Sequence, residues 1–247
     1  MMVTAIGMSA ATLLGAGIAD LLGWRLAFAL PGALVLGVAA LMGRLPEPAT
    51  RLRRQGAVRN LATVLRHGWA LVVLAFAFVE GAVLLAVLNY LPTTLQSVGM
   101  GTTLSGVVTA VYGVAIILFS RAVKVLSRRW SATRLIGVGG GMGVGAYVAL
   151  VADPATVGVL VASVLVAGAW AFMHSTMQKW ATEVTPDHRA TTVSLFACAL
   201  FVGSAVCTAF GAGYVERGDY ATYFTVGLGV AAALAGTAVL MRSRYPE

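Results

Sequence analysis

The chain has 247 residues, of which 59% are hydrophobic and 11% charged, and a formal net charge of +8. Polar surface this scarce excludes a soluble globule of such size. Apolar runs continue for about 20 residues, the length a helix needs to cross a ~30 Å hydrocarbon core, whereas a strand-built barrel would alternate over roughly 10-residue segments. The composition predicts an all-α polytopic membrane helical bundle.

Eight spans are predicted: Val3 to Leu22, Leu26 to Gly43, Trp69 to Leu91, Thr102 to Ser120, Leu135 to Ala152, Ala155 to Met177, Ala190 to Tyr214 and Ala221 to Met241. One polar stretch interrupts them. From Arg44 to His67 it carries six arginines (Arg44, Arg51, Arg53, Arg54, Arg59 and Arg66) against Glu47 alone. Positive charge accumulates on the cytoplasmic side of a membrane. With this stretch inside, strict alternation leaves only Arg25 and Arg217 of the 17 Lys and Arg outside. Both termini are then cytoplasmic, in a plasma (inner) membrane. The excess charge is accounted for by topology in the lipid bilayer, which argues against nucleic acid as a partner.

Three parts follow: residues 1–43 with two spans, a basic cytoplasmic linker over 44–67, and six spans over 68–247. Gly7, Gly15 and Gly17 recur as Gly203, Gly211 and Gly213. The same shift of 196 carries Asp20 onto Glu216, Trp24 onto Tyr220 and Phe28 onto Phe224. Spans one and two thus resemble spans seven and eight. No Lys or Arg precedes the first span. The pattern predicts a six-helix unit that lacks four helices at its N-terminus, followed by a complete one.

Within the linker, Val58, Leu61 and Leu65 stand at helical spacing, consistent with a short amphipathic helix at the interface or with a solvated connection. Gly141, Gly143 and Ala146 loosely fit a dinucleotide-binding fingerprint, but that fingerprint needs a preceding strand. Gly137, Gly141 and Gly145, four apart, instead predict a face for close helix packing. Cys198 and Cys207 lie about 13 Å apart along one helix and cannot pair in place. His67, His174 and His188 lack metal-site spacing, so neither metal nor cofactor is expected.

The sharpest chemical signal is Glu80, the one carboxylate deep in a predicted span. It lies about 16 Å from either surface at 1.5 Å per residue. A bare charge there costs several kcal/mol, so Glu80 is expected to be protonated, hydrated, or met by a cationic substrate. Phe76, Ala77, Val83 and Leu84, one turn away, are apolar, so a partner must come from another helix or from a ligand. Asn89, Tyr90, Tyr112 and Trp170 are further candidates for a proton or substrate pathway. His174 is expected at the interface, near the end of the sixth span. No catalytic residues are assigned: Ser9 with His174 would be the elements of an intramembrane hydrolase, but no oxyanion-hole pattern accompanies them.

Several stretches resemble the major facilitator superfamily of transporters. Gly23, Trp24, Arg25 and Phe28 resemble its corner between the fifth and sixth helices, and Leu45, Pro46 and Glu47 its exit from the sixth. Tyr90, Leu91, Pro92, Leu95, Gln96 and Gly99 resemble the end of the seventh helix in drug-efflux members, and Pro186 and Arg189 the loop before the eleventh. Ala11 and Thr12 stand where the family's antiporter motif has Gly-Pro. The family's halves are six-helix repeats about an axis along the membrane normal. The resemblance covers its fifth to twelfth helices, and implies secondary transport of a small molecule, with protons as the coupling ion and efflux as the direction. It also implies that the chain works with N-terminal helices it lacks or with another subunit, or else is a non-transporting remnant.

Overall fold

The computed structural model describes Gly15, Ile18 and residues 22–44 and 56–246. Among these, seven helices are long and apolar enough to span a membrane. The first predicted span falls almost wholly outside the described residues. In chain order the helices are α1 (Trp24–Met42), the short α2 (Ala57–Arg66), α3 (Gly68–Ser97), α4 (Thr102–Leu126), α5 (Ala132–Ala152), α6 (Thr156–Val184), α7 (Arg189–Glu216) and α8 (Tyr220–Arg244).

Local chemistry fixes the turns between them. Gly99 and Gly218 adopt φ of 89° and 71° after α3 and α7, a region open to glycine at no steric cost. Ser131 accepts from the Arg134 N–H at 3.3 Å and Asp219 from the Thr222 N–H at 3.2 Å, each capping the helix that follows. Asp153 accepts from the N–H groups of Ala155 and Gly158 and so holds the corner into α6.

Several helices outrun the hydrophobic segments that announce them. α6 continues to Val184, seven residues beyond the predicted end at Met177, and α3 passes through Pro92 to Ser97. An α-helix closes its own backbone hydrogen bonds and need not stop where hydrocarbon does.

Helices α3 to α8 form one bundle. α5 lies between α8 and α6, α4 covers α6, and α3 crosses α7. Small residues set the close approaches. A Cβ on Gly140 would meet Ala235 of α8 at 2.7 Å, and one on Gly139 would strike the backbone of Met173 on α6. Of the expected face, a Cβ on Gly137 would meet Val239 of α8 at 3.5 Å and one on Gly145 would meet Leu165 of α6 at 3.3 Å, whereas one on Gly141 meets nothing within 4 Å. Because α5 packs against helices on two sides, adjacent glycines serve different neighbours.

α2 forms as the linker's apolar spacing suggested; among its described side chains Val64 is buried and Leu61 and Leu65 are exposed, and the side chain of Val58 lies outside the described ones. α1 is exposed along nearly all its length. Its Phe28 is 76% exposed whereas Phe224, its counterpart at the shift of 196, is fully buried in α8.

Candidate functional site

Glu80 lies where α3 and α7 cross most closely. A Cβ on Gly81 would collide with the Leu200 carbonyl of α7, and one on Gly203 with the Phe78 carbonyl of α3. Each helix thus offers a glycine to the other's backbone, the small-residue logic of membrane helix pairs. Immediately after Glu80, residues Gly81–Leu85 widen into a π-turn. A second π-turn, Trp170–His174, interrupts α6. Such turns recur at functional sites because they re-aim side chains within an otherwise regular helix.

The two wide turns bring Glu80 and His174 together. His174 Nδ1 lies 3.1 Å from Glu80 Oε2. Glu80 is 0% exposed and His174 6%. The Trp170 ring stacks on the imidazole, 3.9 Å between centroids and 16° between planes, and Phe196 flanks it at 5.6 Å. Glu80 Oε1 has no hydrogen-bond partner among the described residues.

This geometry corrects the expectation of an interfacial His174. The residue stands ten positions before the end of α6 and supplies the partner from another helix that Glu80 was expected to need. One sequence signal bears on it: Trp170 and His174, four apart, share a helix face.

A carboxyl and an imidazole at this distance are chemically able to pass a proton from one to the other. A net charge is costly in a site this enclosed.

Tyr147 of α5 supports the arrangement. Its buried hydroxyl donates to the Val83 carbonyl inside the first π-turn, at 2.7 Å, and its ring lies in the space left by Gly227 of α8. The remaining candidates separate. Trp170 belongs to the site. Tyr112 is buried in α4, and its hydroxyl has no hydrogen-bond partner among the described residues. Asn89 and Tyr90 lie elsewhere: Asn89 Nδ2 donates to Thr208 Oγ1 at 3.3 Å, and the Tyr90 hydroxyl donates to the Thr208 carbonyl. Both tie α3 to α7 beyond the Glu80 crossing.

No metal-binding group of three or more His, Cys, Asp or Glu occurs among the described residues.

No curated protein matches this sequence. Among solved structures, the fold is similar to that of a mutant of the nucleoside transporter NupG, with a TM-score of 0.68 and 19% identity over 96% of this chain. The chain spans 65% of that protein's length. The Major Facilitator Superfamily profile matches residues 1–208. With most of its sequence covered by that profile, the chain belongs to the Major Facilitator Superfamily, a family of membrane transporters rather than enzymes.

Proposed function

We propose that this chain is part of a proton-coupled secondary transporter that exports a small molecule by alternating access, with Glu80 and His174 holding the coupling proton. The observation that carries this reading is the buried pair itself, a 3.1 Å contact between a carboxyl and an imidazole on two helices that both widen into π-turns. Helices α3 and α6 meet at the pair, so opening the bundle to water on one side changes which solvent its proton exchanges with. A cationic substrate is the weaker occupant of Glu80, because it would first have to displace the imidazole. The basic end of the bundle faces the cytoplasm in this reading, in keeping with the positive-inside rule. Transport requires further N-terminal helices or another subunit, consistent with an apolar α1 that leaves its faces uncovered.

The test uses proteoliposomes that contain the chain together with the N-terminal helices or subunit it requires, loaded with a pH-sensitive dye and offered a panel of cationic dyes and nucleosides. Cationic dyes represent the drug-efflux resemblance, and nucleosides the solved neighbour. A transported compound should shift internal pH in the wild type. Glu80→Gln and His174→Asn should move the same compound down its own gradient with no pH shift. Transport by the wild type without proton movement would reduce the pair to packing.

A further inference from the structure

A second charged cluster lies at the basic end. Arg242, in the last turn of α8, is only 9% exposed. Its guanidinium lies over the rings of Trp180 and Tyr245, at 5.3 and 5.1 Å from their centroids. Nη2 contacts Glu183 Oε2 at 3.3 Å, and Nη1 has no acceptor among the described residues. Lys179, one turn before Glu183 on α6, reaches its other oxygen at 3.6 Å, with a side chain 76% exposed.

Beside them opens a cavity of about 510 Å³, lined among others by Trp130, Ser131, Lys179, Glu183, Arg242 and Tyr245. Two permanent cations face one carboxylate, which leaves the cavity a net +1. α5 starts at the same place, with Ser131 as its cap, and a helix N-terminus adds partial positive charge. Five N–H donors on a guanidinium that never deprotonates, an ammonium and a helix start call for more acceptor oxygens than Glu183 supplies.

Depth identifies the kind of anion. Glu183 lies nine residues beyond His174 along α6, roughly 13 Å at 1.5 Å per residue. With the Glu80–His174 pair near the middle of a ~30 Å core, the cavity sits at the level of the headgroups. Trp130 and Tyr245 at its rim are of the residue types that favour this boundary.

We infer that this cavity binds the phosphate of an anionic lipid headgroup, between the α4–α5 turn and the ends of α6 and α8. Lys179 and the Arg242 guanidinium supply the charge, and Ser131 with the start of α5 supplies neutral donors. Such a lipid would tie α5, α6 and α8 together on the helix that also carries His174. Basic pockets between membrane helices are the general setting for this recognition.

The test measures lipid retention by native mass spectrometry and the thermal midpoint of the detergent-purified chain. The probes are phosphatidylglycerol, phosphatidylcholine and inorganic phosphate. Phosphatidylglycerol should be retained and raise the midpoint, and the other two should do neither. Lys179→Glu, at an exposed position, turns the cavity from net +1 to net −1. At about 1 kcal/mol per charge near the surface, it should weaken phosphatidylglycerol binding roughly tenfold or more. Lys179→Gln should give a smaller loss in the same direction. Equal retention of both lipids, unchanged affinity in Lys179→Glu, or stabilisation by inorganic phosphate alone would each overturn the inference.

Discussion

At two depths the bundle sets an acid on one helix against a base on another, and the two pairs are built for different ends. Glu80 and His174 are sealed in mid-bundle, and the base is an imidazole stacked on Trp170. Glu183 and Arg242 stand at the basic end, where the guanidinium keeps its charge and the acid side chain is 34% exposed. In the proposed function the inner pair carries the coupling proton. The outer one holds a guanidinium that does not deprotonate, clamped by aromatic rings. In the proposed function the buried pair is the switch, and the partly exposed pair with its permanent cation is a fastening.

The largest effect should come from breaking the switch. Glu80→Gln keeps size and hydrogen bonding, yet it should reduce pH-gradient-driven transport in proteoliposomes to the level of empty vesicles. Glu183→Gln should leave coupling intact. If both variants lost coupling alike, the distinction between the pairs would collapse. Next comes the helix crossing that positions Glu80. Gly203→Leu drives a side chain into the Phe78 carbonyl of α3. Overpacking of this kind costs about 1–3 kcal/mol, to be read as a lowered thermal midpoint together with lost coupling.

At the fastening, Arg242→Ala removes a buried cation from two rings. A loss on the order of 2 kcal/mol is expected, with the proton dependence of transport unchanged. The smallest effect belongs to Tyr147→Phe. It deletes one buried hydrogen bond to the π-turn, and such bonds within membranes average about 0.6 kcal/mol. A thermal melt should register a small loss, and transport should persist.

Much of this arrangement was legible before the structure. Apolar runs announced the spans, and Glu80 stood out because a carboxylate amid Phe, Val and Ala has no solvent to turn to. His174 was hidden by where hydropathy ends. Gln178, Lys179 and Glu183 resemble an exit from the membrane, but α6 carries them onward as helix, so the histidine lies deeper than its distance from the last apolar run implies. Neither π-turn had a signal, since an extra residue in one turn leaves the apolar pattern unchanged. The setting of Tyr90 was hidden for a related reason: α3 runs past it, and its hydroxyl serves the α7 backbone. The glycine run of α5 advertised close packing without saying which glycines meet which neighbour. That depends on where α6 and α8 lie, which is a property of the assembled bundle.

The shared proton is tested most directly by difference infrared spectroscopy on the reconstituted protein through a pH step. A carboxylic acid C=O band from a dry environment should change with pH, vanish in Glu80→Gln and shift in His174→Asn. The same band persisting in Glu80→Gln, or no difference between that variant and the wild type, would contradict a proton held by Glu80 and His174.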